Sequence, residues 1–357
     1  MRKLKIFKNK KILITGHTGF KGSWLSLWFK SLGANVLGVS NDIPTYPSHF
    51  KLINLEKKIK SKFFDITNLK KLKKTFVNYK PDYVFHLAAQ SLVKKSYQDP
   101  LLTYQTNTIG TLNVMECLRS LKNNCIAIII TSDKSYKNLE IRRGYKEDDI
   151  LGGIDPYSSS KASAELIIQT YFNSFLKKKK NIKIAVARAG NVVGGGDWSK
   201  DRLIPDCMKS WSKNKKVLIR NPNSTRPWQH VLDALYGYIT LSLYLKRNKK
   251  LNGNVFNFGP SLNNNFRVID VLNLAKKSWN KVFWKIINAK KNVYESNLLK
   301  LNSSKAKSIL KWKCNLNFKE TIYLVIDWYK NYYLHKKDMY AFSLKQINSY
   351  YKKLNKN

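Results

Sequence analysis

Two short stretches carry the residue types needed for proton transfer. Tyr157-Ser-Ser-Ser-Lys161 sets a phenol and an ammonium four residues apart, on one face of a helix. A lysine charge beside a phenol draws its pKa down from about 10 toward neutrality, which makes Tyr157 a usable base for an alcohol proton. Upstream, the apolar run 126–130 ends in Thr131-Ser132-Asp133-Lys134. Taken singly, each stretch has a plain alternative. A lysine-rich chain offers many surface Tyr/Lys pairs, and Asp133 with Lys134 could be an ion pair closing a strand. A strand end followed by a helix start is the order that argues for chemistry.

A third stretch supplies something for those groups to work on. Lys11-Ile-Leu-Ile-Thr-Gly16-His-Thr-Gly19-Phe-Lys-Gly22 reads as strand, turn, then helix. Gly16 allows a tight turn, Gly19 lets backbone N–H groups approach a pyrophosphate, and Gly22 lets the helix pack close to the strand. Three glycines alone could be a structural turn; between a strand and a helix near the N-terminus they indicate a dinucleotide site. Thr18, Phe20 and Lys21 share the loop, and Lys21 either touches phosphate or faces water. Asp42, after the second strand-like run, fits an acceptor for a ribose 2′-hydroxyl, which favours NAD over NADP. Asn41 and nearby lysines leave a 2′-phosphate open.

These groups need a sheet edge to hold them. Strand-like runs fall at 12–15, 36–39, 62–64, 83–87, 126–131 and 184–188, with helical patterns at 22–32, 69–79, 105–121 and 158–176. Such alternation predicts an α/β fold, a doubly wound parallel sheet with ligands at the carboxyl ends of its strands. Beyond Gly190 the pattern loosens. Residues 192–198 read as a loop, 201–211 and 217–219 as short segments, 229–247 as a helix, 251–258 as containing a strand, and the rest from 266 as helical pieces. The expected organisation is a nucleotide domain over 9–190 with a return segment near 228–260. A smaller C-terminal substrate domain takes 191–227 and 261–335, and 336–357 is a docked helical tail.

Composition narrows the class. The 357 residues are 43% hydrophobic, ordinary for a soluble globular protein, with no run of about 18 apolar residues to span a membrane and no signal-peptide pattern. Four scattered cysteines without C-x-x-C spacing fit a reducing cytoplasm and argue against disulfides or a metal site. The net charge of +44 raises nucleic acid as a partner. Its even spread favours solvated lysine faces, and the surplus would attract a doubly phosphorylated small substrate.

The Ser132, Tyr157 and Lys161 set resembles the extended short-chain dehydrogenase/reductase superfamily, as do His86-Leu-Ala-Ala-Gln90 and Asn107-Thr-Ile-Gly-Thr111. Further motifs are Gly16-His-Thr-Gly-Phe-Lys-Gly-Ser-Trp-Leu25, Asp155-Pro-Tyr-Ser158, Ala189-Gly-Asn-Val-Val-Gly-Gly-Gly-Asp-Trp198, Asp201-Arg-Leu-Ile-Pro205 and Arg226-Pro-Trp-Gln-His-Val231. With Lys134 after the Ser-Asp pair, they resemble the sugar-nucleotide 4,6-dehydratases, and among them the group acting on CDP-glucose. Relatives acting on dTDP- and GDP-sugars usually place glutamate where Lys134 stands. The likeness runs from about residue 10 to the tail.

That resemblance implies NAD as the cofactor, held by the glycine loop, by Asp65 and Ile66 near adenine, by Leu87, Ala88, Ala89 and Asn107, and by Lys161 on the nicotinamide ribose. Asp65 has the alternative role of a helix N-cap. The resemblance also implies the proton transfers: Tyr157 takes the proton of the sugar 4-hydroxyl, Ser132 orients it, Lys134 removes the C5 proton, and Asp133 protonates the leaving 6-hydroxyl. Gln90, Asn191, Arg202, Leu203, Arg220, Arg226 and His230 are candidates for the sugar nucleotide; an arginine fork suits a pyrophosphate. By the same likeness the chain is expected to be a homo-oligomer (dimer or tetramer) paired through helices 105–121 and 158–176, serving deoxysugar and surface polysaccharide synthesis. A sugar-nucleotide 4-epimerase of the same fold is the enzymatic alternative. A nucleic-acid-binding relative without catalysis is the other.

Overall fold

Alternate residues of the apolar runs face opposite sides of one sheet. Strands β1 (Lys11–Thr15), β2 (Asn35–Ser40), β3 (Lys60–Phe63), β4 (Tyr83–His86), β5 (Cys125–Ser132) and β6 (Ile182–Ala189) join the strand Val255–Phe258. Their order is Val255–Phe258, β6, β5, β4, β1, β2, β3, and every pairing is parallel. The computed structural model of the chain describes residues 2–262, 264, 266–287 and 299–355.

Each central strand is buried on both faces, which is why it reads as a continuous apolar run. Ile12, Ile14, Phe85, Ile128 and Ile130 belong to one core, with Trp24, Leu25 and Trp28 of helix Phe20–Ser31. Leu13, Val84, Ala127 and Ile129 belong to the other, with Val114 and Leu118 of helix Gly110–Ser120 and Ile168 of helix Pro156–Tyr171. The chain winds outward from β1 to β3 and returns through β4, so β1 and β4 flank the switch point where a ligand crevice opens. In register, Thr15 lies beside His86, and Ser132 beside Ala189. Gly16, Leu87, Asp133 and Gly190 therefore leave the sheet at one edge.

The expected long helices each contain a π-helical turn: Gln105–Ile109 precedes Gly110–Ser120, and Phe172–Leu176 follows Pro156–Tyr171. The stretch expected as a loop from 192 begins instead with Val192–Val193, which pairs in parallel with Gln229–His230. That ladder takes the backbone of 229–230, so the helix expected from 229 starts at Val231. Two more small ladders lie outside the main sheet, Thr225–Arg226 with Phe266–Arg267 and Val217–Ile219 with Trp284–Ile286. Phe266–Arg267 and Trp284–Ile286 are strands where helix was expected; residues 288–298 of that expected helical region lie outside the described residues. Helix Met339–Leu354, capped by Asp338, packs its Tyr350 edge-on against Trp28. No helix among the described residues is long and apolar enough to cross a membrane.

Candidate active site

The first turn is built by close backbone contacts. Gly16 has φ +75°, and a Cβ there would sit 2.7 Å from the Ala88 nitrogen; a Cβ at Gly22 would sit 2.0 Å from the Gly16 carbonyl oxygen. At Gly19 the nearest such atom is 3.4 Å away, so its outer side is open. Helix Phe20–Ser31 begins there with no side-chain cap and no acidic residue in its first turn. Its leading N–H groups and dipole suit an anion.

Polar side chains tie this turn to the strands beside it. Thr18 Oγ1 donates to the Asp42 carbonyl at 2.6 Å, while the Asp42 side chain is exposed. β2 runs one residue further than expected, and Ser40 at its end meets His17 Nδ1 at 2.9 Å and accepts from the Thr18 N–H at 3.3 Å. The residue facing the turn is thus a hydroxyl, which the shorter strand reading missed. Asp65 accepts from the Thr67 N–H at 2.8 Å. The cap of helix Leu69–Tyr79 is Asn68, so the alternative of Asp65 as that helix's N-cap is set aside. Ile66 is buried, and its carbonyl accepts from Asn113 at 3.0 Å.

After β4, Leu87, Ala88 and Ala89 are half-buried. Asn107, in the π-helical turn, holds both backbone groups of Gln90 and reaches Ser160 Oγ at 2.9 Å. The Gln90 side chain is itself occupied: Nε2 donates to Thr103 and the Leu92 carbonyl, and Oε1 accepts from the Leu92 N–H. Gln90 thus shapes its own loop.

The proton-transfer groups converge at the end of β5. Helix Pro156–Tyr171 begins with Asp155 accepting from the Ser158 N–H and with Pro156 at its first position. This sets the buried Tyr157 phenol in the neighbourhood of Ser132 and Asp133. Burial pushes the phenol up to about 12; the nearby Ser132 hydroxyl and the Arg202 charge work against that rise, and Asp133 adds to it. The expected lowering toward neutrality is not seen: burial dominates, and Arg202, not Lys161, is the cation that opposes it. Burial draws Lys161 down to about 8, against the opposing Glu165 charge.

Ser132 Oγ donates to Asp133 Oδ1 at 2.9 Å and accepts from the Lys134 N–H at 3.2 Å. Burial pushes the Asp133 carboxyl up, with Lys134, the Ser132 bond and Lys21 restraining it. Among the described residues Asp133 forms no ion pair, so the strand-closing Asp133/Lys134 pair is absent. Lys134 is half-buried.

Lys21 turns inward. Its ammonium lies 5.9 Å from the Tyr238 ring centroid, and burial lowers it to about 8, helped by Lys161 and Arg202 and opposed by Asp133. The Tyr238 hydroxyl is fully buried without a partner among the described residues, in the field of Asp133 and Tyr157. Tyr238 was not read from the sequence; in a helix of apolar spacing it looks like any core aromatic.

The other candidates divide. Arg202 pairs with Asp197 at 2.8 Å and lies near the Tyr157 charge; Leu203 opens the next helix. Asn191 accepts from the Gln229 N–H through its carbonyl. Arg226 donates to the Thr225 carbonyl. Arg220 is exposed, just past Val217–Ile219. His230 is fully buried and caps helix Val231–Arg247 by accepting from the Leu232 N–H at 3.2 Å. Burial holds its pKa at about 3, so it is a neutral, fully buried helix cap where a sugar-nucleotide contact was expected.

The chain is similar to known proteins along nearly its whole length. The family model described as GDP-mannose 4,6 dehydratase matches residues 13–325. The chain is 41% identical over 350 residues to CDP-glucose 4,6-dehydratase of Salmonella typhimurium, covering 96% of this chain and 97% of that one. It is 25% identical to CDP-paratose 2-epimerase of Salmonella typhi, over 89% and 98% of the two chains. Among solved structures, an epimerase from Methanothermobacter thermautotrophicus superposes with TM-score 0.81 at 22% identity, over 94% and 97% of the chains. dTDP-glucose 4,6-dehydratase from Bacillus anthracis, solved with NAD, gives 0.74 at 21%, over 90% and 97%. By the extent of these matches and by the site it builds, the chain belongs to the GDP-mannose 4,6 dehydratase family.

Proposed function

We propose that the chain catalyses the NAD-dependent 4,6-dehydration of CDP-glucose to CDP-4-dehydro-6-deoxyglucose and water. The observation that carries this reading is the meeting of Ser132, Tyr157 and a buried Asp133 beside Lys134 at one strand end, in a chain 41% identical to a CDP-glucose 4,6-dehydratase. The residues present fit a dinucleotide: the uncapped helix start offers N–H groups to a pyrophosphate, and the open side of Gly19 leaves room for it. Gly16, Thr18, Phe20, Gly22, Asp65, Ile66, Leu87, Ala88 and Ala89 would line that cofactor. When bound, NAD supplies a reversible hydride store, so the reaction is redox-neutral overall.

The protein's own work is proton management. Tyr157 accepts the proton of the sugar 4-hydroxyl, and Ser132 orients that oxygen. The Arg202 charge favours the phenolate, and Lys161, one helical turn from Tyr157, would hold the cofactor beside it. Once C4 is a ketone its neighbour C5 is acidic, and Lys134 takes the C5 proton. Asp133, made a weaker acid by burial, holds a proton for the leaving 6-hydroxyl. Arg202 and Arg226 are the cations assigned to the diphosphate.

Residues 191–227 and 261–335 are read as the substrate lobe. The exposed Ile109, Leu166 and Phe175, on the two long helices, support pairing of copies there, which light scattering would test. Free cysteines and the family's chemistry support a cytoplasmic role in deoxysugar supply for surface polysaccharide. The decisive test is incubation with CDP-, dTDP-, GDP- and UDP-glucose. Loss of one water and alkaline ultraviolet absorbance with the CDP-sugar support the reading; an isomer of unchanged mass would replace it with epimerisation.

A further inference from the structure

Behind the catalytic turn lies a charged network that none of the proton transfers uses. Glu165 stands one helical turn beyond Lys161 and is 1% exposed. Its Oε1 accepts from Thr131 Oγ1 at 2.6 Å, from Arg188 Nε at 2.7 Å and from Ser135 Oγ at 3.1 Å. Its Oε2 accepts from Arg188 Nη2 at 2.5 Å. Thr131 and Arg188 face each other in the β5–β6 ladder. Ser135 has a single hydroxyl proton, shared between the Ser132 carbonyl at 2.6 Å and, more weakly, Glu165 Oε1 at 3.1 Å. One carboxylate therefore touches the strand ending in Ser132, the turn Asp133–Ser135, the neighbouring strand and the helix bearing Tyr157 and Lys161. Arg188 is braced in turn, donating from Nη1 to the Tyr136 hydroxyl at 2.6 Å and the Glu147 carbonyl at 2.9 Å.

We propose that Glu165, braced by Arg188, is a positioning residue for the elimination step: it sets the turn carrying Asp133 and Lys134 against the helix carrying Tyr157 and Lys161. The proposal rests on the dehydratase reading above. Buried charge-assisted hydrogen bonds are strong and directional, and a 1 Å displacement of a reacting group costs on the order of a hundredfold in rate. Oxidation at C4 draws on the helix and Ser132. Elimination draws on Asp133 and Lys134, whose turn this carboxylate ties to the helix. Loosening the tie therefore slows the second step more than the first.

Ser135→Ala removes the turn's hydroxyl, and with it the bonds to Glu165 and to the Ser132 carbonyl, while leaving the Glu165–Arg188 pair and Thr131 in place; Glu165→Gln changes the carboxylate alone. Ser135→Thr restores the hydroxyl. The full chain with NAD and CDP-glucose is followed in single turnover by absorbance of reduced cofactor and by product. Ser135→Ala should lower kcat about tenfold with KM within about twofold, build up more reduced cofactor than wild type, and be rescued by Ser135→Thr. Its backbone amides at 131–136 should exchange hydrogen faster, while its NAD affinity stays unchanged. Glu165→Gln should show the same build-up with a larger loss. The proposal is overturned if Glu165→Gln or Ser135→Ala dehydrates at the wild-type rate, or if in either variant both steps slow together with no extra reduced cofactor. A wild-type chain that turns over no sugar nucleotide would instead sink the dehydratase reading, and this proposal with it.

Discussion

Asn107 grips the backbone of Gln90 from both sides: its Oδ1 accepts from the Gln90 N–H at 2.8 Å and its Nδ2 donates to the Gln90 carbonyl at 3.0 Å. The same Nδ2 reaches Ser160 Oγ at 2.9 Å, so one side chain fixes the loop after β4 against the helix that begins at Pro156. A π-helical turn presents it there.

Asn107→Ala leaves two buried backbone groups unpaired, which costs about 1–3 kcal/mol. Urea melts should show that loss, and NAD titrated against protein fluorescence should bind about tenfold more weakly. Asn107→Asp keeps the acceptor but not the donor and recovers part of both. Wild-type NAD affinity in Asn107→Ala would show that the loop holds itself.

Gly22 and Gly19 should respond differently to alanine. At Gly22 the added methyl meets the Gly16 carbonyl oxygen at 2.0 Å, a backbone contact that cannot yield, and stability should fall by more than about 2 kcal/mol. At Gly19 the methyl finds 3.4 Å of clearance. Gly19→Ala should keep its melting temperature and lose NAD affinity, because the methyl occupies the open side of the turn. Equal melting temperatures for the two variants would contradict the packing described.

Lys134→Met should separate the two halves of the reaction. Tyr157 and Ser132 are untouched, so reduced cofactor should still form with CDP-glucose, while water loss falls by at least about a thousandfold. Full turnover by this variant would remove Lys134 from its role as base. Asp133→Asn should likewise oxidise but stall, since the amide has no acidic proton for the leaving hydroxyl.

Asp233 makes stability depend on pH through the C-terminal helix. It accepts from the Tyr350 hydroxyl at 2.7 Å and from the Asn315 N–H at 2.8 Å, yet burial still pushes its carboxyl up to about 6. Because the folded value exceeds the unfolded one of about 4, the native chain holds the proton more tightly. The stability this adds is full below about pH 4 and is lost as pH rises through about 6. Asp233→Asn has no such proton. Its unfolding free energy relative to wild type should rise by about 1–2 kcal/mol between about pH 5 and about pH 8. A difference flat across that range would contradict the shift.

Much of the fold and site was legible in the linear sequence. Lys11–Thr15 and its three glycines declare a strand, a turn and a helix, because only glycine accepts φ +75° at position 16 and the close approach at position 22. The spacing of Tyr157 and Lys161 follows from helical geometry alone. Local chemistry also showed that β5 must end at Ser132-Asp133-Lys134. Residues whose meaning is set by distant partners were not legible. Lys21 could face phosphate or water until Tyr238, 217 positions on, was found under its ammonium. His230 read as a sugar-nucleotide contact because nothing local shows that Val192–Val193 pairs with its strand and buries it. Glu165 and Arg188 stand 23 positions apart with no local sign of pairing, and folding makes them one buried pair. Backbone conformation and i to i+4 spacing are short-range properties that a sequence states directly. Burial, and the pKa shifts and hydrogen-bond networks it forces, depend on which remote segments exclude water, and only the packed tertiary structure decides that.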